Sequence, residues 1–568
     1  MRVANPVLTG CYPDPSVCRV GEWFYLVNST FEYLPGLPVH RSRDLVHWEL
    51  VGHAVTGRLD LAGVGSSRGL YAPTLRHHDG RFWLVCTAVD AGGHFLLTAE
   101  DAAGPWSAPV WLAGEGIDPS LFVDDDGRLW FHATRPAADP EWDGQTEIWL
   151  RELVDGVLAG PEHVLWTGAV RGAVWSEGPH LYRVDGRYYL LTAEGGTEFH
   201  HAVVVARADR VTGPYLGNPA NPVLTHRHLG RDVDVAAVGH ADLVQAVDGS
   251  WWALLLGVRP YGGFHHNLGR ETFLVPVTWQ DGWPVFAPGE GRVPREVEVP
   301  FAAVAPSDPA DFGTSAASSV ARVPSSPPLY RTDAGAVPVP GGPAVVPADD
   351  PAWCAPRHLP TDLATPDGDD WLLPVRATTL ADTAPSSFLG VRQRHQDCEV
   401  VVSVVDGLAP GTWAGLAVRQ SETDHLTLLT DGTVTRAVLV RAGEPDALGS
   451  GPAANTLVLR TRGQDYALLA GPDLDHLSEI AVADGRNLDS VAAGGFLGLW
   501  IGPYVTATAT ATATATTTAT ATPTKAATVR GDAAGRAPAG HPASSPVRMR
   551  LGYRALSTAR SGLPPGAR

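Results

Sequence analysis

The amino-acid sequence predicts an all-β protein in which a five-bladed β-propeller is followed by a C-terminal β-sandwich. Three observations lead to this fold class. An aromatic strand motif recurs five times between residues 14 and 280, a region rich in Pro, Ala, Ser and Gly follows residue 300, and alternating apolar segments without a helical pattern lie beyond it. Because 568 residues exceed what a single hydrophobic core normally supports, two domains are expected.

The first domain, residues 1–300, contains five short apolar runs at regular intervals. They are FYLV at 24, FWLV at 82, LWFH at 129, YYLL at 188 and WWALLL at 251, so the intervals are 58, 47, 59 and 63 residues. Four of the runs follow Asp-Gly, which is typical of a tight hairpin that leads into a strand. Each repeat can hold four short antiparallel strands, the size of one propeller blade.

A second motif lies ten or eleven residues before each run and marks the preceding strand. It reads DPSV at 14, APTL at 72, DPSL at 118, EGPHL at 177 and HADL at 240. In a propeller the first strand of every blade lies nearest the axis, so equivalent positions of all five blades converge. The leading residues are Asp14, Ala72, Asp118, Glu177 and His240. The repeat therefore predicts three carboxylates and one imidazole around one end of the axial channel.

Three carboxylates in a narrow channel favour acid/base hydrolysis, because like charges and partial burial raise the pKa of at least one of them. Glycoside hydrolysis requires such a protonated acid beside an ionised carboxylate, and the aromatic residues Phe31 and Tyr71 are placed to line a sugar pocket. The alternative is that the acids cap turns or bind a structural cation. His240 could tune the carboxylates or ligate a calcium ion in the channel through water, and Arg270 could pair with a nearby acid.

The composition limits which binding partners and which cellular compartment are expected. The formal net charge of −19, from 42 Lys plus Arg against 61 Asp plus Glu, argues against a nucleic-acid or anionic-membrane partner. The five scattered cysteines show no CxxC pair, so reduced thiols are expected rather than a disulfide frame or zinc site. No secretory signal and no membrane span is recognisable, so a cytoplasmic protein is expected, with homo-oligomer formation left open.

The second half of the chain is predicted to be a linker and a sandwich. Residues 301–345 form a Pro/Ala/Ser-rich linker, and residues 346–568 contain strand-like segments such as EVVVSVV at 399, GTWAGLAVRQ at 411 and GGFLGLWIG at 494. Residues 505–522 are a low-complexity Thr-Ala insertion, interpreted as an expanded loop before a last strand near VRMRLGY at 547.

Several of these motifs together resemble the β-xylosidases of glycoside hydrolase family 43. The resemblance is carried by NPVLTGCYPDPSV, STFEYLPGLPVHRSRDLVHWE, GLYAPTLRHHDGRFWLVCT, GIDPSLFVDDDGRLWF, WSEGPHLYRVDGRYYLL, GHADLVQ and LGRETFLVPVTWQDGWPV, and more weakly by FLGVRQRH with GTWAGLAVRQ in the second domain. It implies a five-bladed propeller that removes single xylose units from xylooligosaccharides with inversion and requires no cofactor.

The same resemblance implies individual roles. Asp14 would be the general base, Glu177 the general acid, and Asp118 the residue that raises the pKa of the acid and orients it. Arg270 would reach sugar hydroxyls and Phe31 would form an aromatic wall. Two alternatives stay open: an α-L-arabinofuranosidase or arabinan-cleaving enzyme on the same fold, and a non-catalytic carbohydrate-binding protein.

Overall fold

Five antiparallel β-sheets surround a common axis in the first 300 residues, as the sequence repeat predicts. The computed structural model describes residues 1–300, 342–507 and 545–556, and within these ranges the chain is nearly all β. A β-sandwich follows the propeller, so the predicted fold class is confirmed.

The blades follow the order of the chain. Blade 1 contains Ser16–Val20, Trp23–Val27, Gly36–Ser42 and Glu49–Val55. Blade 2 contains Gly69–Leu70, Thr74–His78, Arg81–Val89, Gly93–Ala99 and Val110–Trp111. Blade 3 contains Ile117–Val123, Leu129–Pro136, Thr146–Val154 and Val157–Trp166. Blade 4 contains Glu177–Val184, Arg187–Glu194, Ala202–Ala208, Leu216–Gly217 and Leu224–Thr225. Blade 5 contains Ala236–Gln245, Trp251–Val258, Glu271–Gln280 and Trp283–Phe286, and is preceded by the 3-10 turn Arg227–Leu229.

Two of the predicted Asp-Gly hairpins are tight turns between the first two long strands of a blade. Asp79 and Gly80 have φ angles of 48° and 71°, and Asp185 and Gly186 have φ angles of 49° and 77°. Left-handed values at both central residues are those of a type I′ turn, whose twist matches that of the flanking strands. The Asp-Gly sequence therefore fixes where the inner strand ends in blades 2 and 4.

The propeller closes through its inner strands and through apolar wedges between blades. The inner strand of each blade contacts that of the next, and the inner strand of blade 5 contacts that of blade 1. Buried side chains such as Val39 of blade 1 and Phe82 of blade 2 pack together between the sheets. The first strand, Arg2–Ala4, pairs with Glu296–Glu298, which ties the start of the propeller to its end.

Two antiparallel sheets make up the second domain. One contains Ala344–Val345, Thr365–Asp367, Asp370–Leu373, Cys398–Asp406, Thr456–Arg462, Asp465–Gly471, Ser478–Asp484 and Val547–Ala555. The other contains Ser387–Phe388, Val391–Arg392, Trp413–Arg419, His425–Thr430, Val434–Arg441, Glu444–Pro452 and Trp500–Thr506. Buried side chains including Val400, Leu416 and Leu457 fill the space between the sheets.

The helical elements of this half are short. Pro360–Leu363 and Ser490–Ala493 are single α-helical turns, and Gly485–Asn487 is a 3-10 turn. Throughout the described ranges every helix is too short to cross a bilayer. All five cysteines are buried and free, as the sequence predicts.

Some segment boundaries differ from the sequence prediction. Ala344–Val345, predicted as the end of the linker, pairs with Val547–Ala555 of the sandwich. The first two residues of the Thr-Ala tract belong to the strand Trp500–Thr506, and the strand predicted from Gly494 begins only at its Trp500. Most of the predicted linker and of the tract lies outside the described residues.

The propeller and the sandwich share a core and a buried ion pair. Tyr33–Leu34 of the propeller pairs with Ala355–Pro356 of the second domain. Arg419 of the sandwich, 1% exposed, donates a hydrogen bond of 3.0 Å to the fully buried carboxylate of Glu32. Because Glu32 follows Phe31, this contact between domains fixes the backbone beside a predicted site residue.

Candidate active site

The strands nearest the axis bring the predicted site residues to one end of the propeller. Asp14 lies just before the inner strand of blade 1, Asp118 and Glu177 lie at the start of the inner strands of blades 3 and 4, and His240 lies in that of blade 5. Arg270 immediately precedes the third strand of blade 5. The side chains interact with one another electrostatically, so the structure groups three carboxylates, an imidazole and a guanidinium in one cluster.

Asp14, Asp118 and His240 share an uncommon backbone conformation. Their φ angles are 53°, 53° and 50°, in the left-handed region, where Asp and His are enriched among residues other than Gly. The left-handed residue interrupts the ladder of its strand, as the register shift between Ile117 and Ser120 shows in blade 3. The motif thus uses residue types that tolerate the conformation needed to start the inner strand.

The equivalent position in blade 4 is occupied by Gly178, which corrects the alignment of the five motifs. Gly178 has a φ angle of 56°, and the register shift of blade 4 lies between Glu177 and His180. Glu177 therefore stands one residue earlier than the aspartates, where blade 3 has Ile117. A side chain at Gly178 is excluded because its Cβ would come within 2.8 Å of the His240 ring.

Asp14 is held in its ionised form. Ser29 donates to Oδ2 at 2.5 Å and Arg270 donates to Oδ1 at 2.9 Å. Burial alone would raise the pKa of Asp14, but the charge of Arg270, with contributions from His240 and the Ser29 hydrogen bond, outweighs it and holds the pKa below its ordinary value. At neutral pH this carboxylate is negatively charged and can accept a proton.

Asp118 and Glu177 are shifted in the opposite direction. Burial, together with the charge of Asp14, raises the pKa of Asp118 to about 6. Burial in the pocket, followed by the charges of Asp118 and Asp14, raises the pKa of Glu177 to about 8. The backbone N–H of Gly178 donates to Asp118 at 3.1 Å, so Asp118 is hydrogen-bonded to the peptide group that follows Glu177. Glu177 is therefore mainly protonated at neutral pH.

His240 lies beside Asp14, with Nδ1 3.8 Å from Oδ1, too far for a hydrogen bond. Among the residues that the structure describes, no group of three or more His, Cys, Asp or Glu side chains is arranged to hold a metal ion. Calcium binds six to eight oxygen ligands, and Asp14 and His240 alone do not provide such a set. Calcium near His240 stays a prediction that metal analysis can test.

An aromatic wall borders the cluster, and one of its members comes from the sandwich. The ring centroids of Phe31 and Tyr71 are 5.5 Å apart, and Phe496 of the second domain lies 5.9 Å from Phe31 in a stacked orientation. The guanidinium of Arg270 lies over both phenylalanine rings, 5.6 Å from Phe31 and 5.5 Å from Phe496. The sandwich thus contributes directly to the wall of the site.

The segment that carries Phe496 is fastened to the propeller on both sides. Ser67 accepts a hydrogen bond of 2.8 Å from the backbone N–H of Phe496, and Asn267 donates to Gly485 at 2.6 Å. A Cβ on Gly498 would meet the carbonyl oxygen of Leu268 at 2.5 Å, so this glycine permits close backbone packing. These contacts explain why the predicted strand does not begin at Gly494.

Three residues of the site were not predicted from the sequence: Ser29, Thr197 and Phe496. Thr197 accepts a hydrogen bond of 3.0 Å from Arg270, and Ser29 donates to Asp14. Ser29 could have been found from its place two residues before Phe31. Thr197 and Phe496 lie in loops outside the repeat and carry no such signal.

The pairing of an ionised carboxylate with a protonated one, at the axis of a five-bladed propeller and beside an aromatic wall, is typical of propeller-type glycoside hydrolases. Comparison with known proteins agrees. The family model "Glycosyl hydrolases family 43" matches residues 3–284, and the model "Beta xylosidase C-terminal Concanavalin A-like domain" matches residues 350–518. The chain belongs to glycosyl hydrolase family 43.

Named relatives match about half of this chain. A xylosidase/arabinosidase of Butyrivibrio fibrisolvens is 49% identical over 302 residues, which are 52% of this chain and 58% of the relative. A non-reducing end alpha-L-arabinofuranosidase of Bacteroides ovatus is 46% identical over 288 residues, 49% of this chain and 52% of the relative. The chain thus spans about half the length of the curated relatives it matches.

A solved structure matches over almost the whole chain. The xylan beta-1,4-xylosidase from Bacillus halodurans C-125 has a TM-score of 0.78 at 27% identity, with 97% of this chain and 100% of that chain covered. Both the propeller and the sandwich therefore have counterparts in a solved protein of this family.

Proposed function

We propose that the protein is an exo-acting, inverting β-1,4-xylosidase that releases single xylose units from xylooligosaccharides inside the cell. The observation that carries the proposal is the separation of carboxyl pKa values within one cluster. The pKa of Asp14 lies below its ordinary value and that of Glu177 is about 8. One base and one acid are therefore ready at neutral pH, as glycoside hydrolysis requires.

In this proposal Glu177 donates its proton to the glycosidic oxygen as the bond from C1 to that oxygen breaks. Asp14 accepts a proton from a water molecule whose oxygen attacks C1 from the opposite face, so the configuration at C1 is inverted. Asp118 keeps the pKa of Glu177 raised and fixes the following peptide group. Exchange of one proton with solvent returns both carboxyl groups to their starting states.

The remaining residues of the cluster bind the sugar. The partly exposed ring of Tyr71, packed against the buried Phe31, faces the apolar side of a xylose ring, and Arg270 and His240 donate to its hydroxyl groups. The xylosidase names of several relatives, among them a beta-xylosidase of Bacillus subtilis that is 38% identical over 325 residues, support xylose as the released unit.

An α-L-arabinofuranosidase is the second candidate. It is favoured by the relative from Bacteroides ovatus, which bears that name and is 46% identical over 288 residues. The ratio of kcat/KM for p-nitrophenyl β-D-xyloside to that for p-nitrophenyl α-L-arabinofuranoside separates the two. A ratio below one would favour the arabinofuranosidase.

The direct test is NMR of the sugar released during hydrolysis of xylobiose. The proposal expects α-xylose to form first and then to mutarotate. First-formed β-xylose would contradict inversion, and folded protein without activity on either aryl glycoside would refute the function. Asp14→Ala should abolish turnover while retaining sugar binding by calorimetry. A protein that binds sugar but releases none, even unmutated, would instead be a non-catalytic carbohydrate-binding protein.

A further inference from the structure

A second set of polar side chains lies deeper on the axis than the carboxylate cluster, and every blade contributes one member. We call it the axial polar layer, and its members are Ser16, Arg76, Ser120, His180 and Asp242, with Tyr182 at its edge. The side chains of Ser16, Ser120 and Asp242 are completely buried, and His180 is 2% exposed. Buried polar groups at this density are stable only when they are hydrogen-bonded to one another.

The layer is related to the cluster by a fixed spacing in the chain. Ser16 lies two residues after Asp14, and Ser120 lies two residues after Asp118. In the same way Asp242 follows His240, and His180 follows Gly178, the residue next to Glu177. Each of these four strands therefore carries a left-handed residue at the site and, one pleat deeper, a member of the layer.

Asp242 is the centre of the layer and joins four blades. Its carboxylate accepts hydrogen bonds from the hydroxyl of Ser16 at 2.8 Å and the backbone N–H of Val17 at 2.9 Å in blade 1. Arg76 of blade 2 donates to its two oxygens at 2.9 and 3.3 Å, and the hydroxyl of Tyr182 in blade 4 donates at 2.5 Å. Asp242 itself belongs to blade 5.

Blade 3 is connected to the layer by the contact of its Ser120 with His180 of blade 4. Arg76 donates to Nδ1 of His180 at 3.1 Å, and the hydroxyl of Ser120 lies 3.1 Å from the same nitrogen. Burial lowers the pKa of His180 to about 3, so the imidazole is neutral and Nδ1 accepts. Arg76 and Asp242 cancel each other in charge. The layer is therefore an electrically neutral network beneath three carboxyl groups, in which Nε2 of His180 has no hydrogen-bond partner among the described residues.

Left-handed conformations of residues other than Gly are costly and persist only where the surroundings fix them. The strand ends at Asp14 and Asp118 have that conformation, and two residues after them Ser16 and Ser120 are hydrogen-bonded within the layer. The hydrogen bonds of the layer hold these strands at fixed heights relative to one another. Within the described residues no side chain of the layer is hydrogen-bonded to the carboxyl group of Asp14, Asp118 or Glu177. The ring of His180 meets that of His240 edge to face, with 6.4 Å between centroids, so the layer acts on the carboxyl groups through the backbone and through His240.

We propose that the axial polar layer is a positioning device, in which Asp242 and Tyr182 lock the inner strands so that the base and the acid keep their relative geometry. The proposal rests on the proposed function for its catalytic consequence, but the locking of the strands is a separate structural claim. Loss of positioning lowers the rate of the chemical step more than it weakens ground-state binding.

The test compares Tyr182→Phe with Tyr188→Phe. Both substitutions remove a hydroxyl that donates to a carboxylate. Tyr188 lies on the next strand of the same blade as Tyr182, and its hydroxyl donates to Asp124 at 2.9 Å. Tyr182→Phe should lower kcat for xylobiose about 10- to 100-fold with KM little changed. Tyr182→Phe should also move the alkaline limb of the pH profile, whereas Tyr188→Phe should leave kcat and the alkaline limb at their native values. Of the two layer variants, Asp242→Asn should show the larger loss of kcat.

A second readout does not depend on activity. Hydrogen exchange followed by mass spectrometry should show faster exchange in a peptide spanning residues 174–179 in Tyr182→Phe but not in Tyr188→Phe. This peptide contains the Gly178 amide that is bonded to Asp118 and excludes Tyr182 itself.

The proposal is overturned if Tyr182→Phe retains native kcat and native exchange, or if Tyr188→Phe lowers kcat and speeds exchange to the same extent as Tyr182→Phe. If the native protein hydrolyses no glycoside, the proposed function fails. The exchange comparison then still decides the locking of the strands: faster exchange in Tyr182→Phe alone supports it, and equal exchange in both variants overturns it.

Discussion

Replacing Asp118 by Asn tests the electrostatic origin of the proton on the proposed acid. In the native protein burial and the carboxylates of Asp118 and Asp14 raise the pKa of Glu177 to about 8. Asn has nearly the shape of Asp, and its Oδ1 can still accept the hydrogen bond from the backbone N–H of Gly178, which is 3.1 Å long in the native protein. The substitution therefore removes one negative charge with little change in shape.

The size of the effect follows from Coulomb's law. A charge that shifts a neighbouring pKa lies within roughly 4 to 6 Å. At about 6 Å, with an effective dielectric constant of about 20, two like charges repel by about 3 kcal/mol, and about 1.36 kcal/mol corresponds to one pKa unit. The pKa of Glu177 should thus fall by up to about two units in Asp118→Asn. At pH 8 about half of the native molecules, but only about one in a hundred of the variant, would carry the proton.

The assay is kcat/KM for xylobiose from about pH 5 to about pH 9, because an unactivated leaving group requires the acid. The general acid must be protonated, so activity is lost as the pH rises through the pKa of Glu177, and the alkaline limb of Asp118→Asn should lie at lower pH. Asp124→Asn is the matched control. Asp124 is a buried carboxyl group of the same blade that accepts from Tyr188 outside the cluster. An alkaline limb at the native position in Asp118→Asn would refute the reasoning.

Four further outcomes are expected. Glu177→Gln should lower xylobiose hydrolysis about 10²- to 10⁴-fold but affect an activated aryl xyloside much less; equal losses would contradict the acid role. Phe496→Ala should raise KM for xylobiose about three- to tenfold through loss of an aromatic contact, and an unchanged KM would remove the sandwich from the site. Arg419→Met should lower the free energy of unfolding in urea by about 3 to 5 kcal/mol, since it leaves the buried Glu32 carboxylate without its cation; unchanged stability would contradict this. Treatment with EDTA should leave the rate unchanged because the proposed proton transfers use carboxyl groups, and a loss reversed by calcium would instead indicate the ion near His240.

The fold was predictable from local patterns because they recur. Asp-Gly before an aromatic run marks a hairpin in each of two blades, where Asp79 and Asp185 have the left-handed φ angles that the turn requires. The resulting count of five blades did not depend on any single motif. The sandwich was predictable as a class from its alternating segments, but its strand order was not. The last strand, Val547–Ala555, lies between Asp370–Leu373 and Cys398–Asp406, far from it in the chain.

The alignment of the acids was predicted in outline and was wrong by one residue in blade 4. The leading letters DPS and EGP suggested that Glu177 occupies the same position as Asp118. The structure places Gly178 there, because that position must be left-handed and lies against the His240 ring. Sequence alone could not reveal this, since the close approach of His240 comes from another blade.

The sequence by itself determined the architecture and the identity of the three carboxyl groups, because both are written in short motifs repeated at the period of a blade. Only the tertiary structure decided how these groups differ. The low pKa of Asp14 depends on Arg270, which is 256 residues away along the chain, and the high pKa of Glu177 depends on burial beside Asp118 and Asp14. The aromatic wall likewise needs Phe496 from the second domain. Charge, burial and ring stacking act over a few ångströms in space, and distance along the chain does not record them.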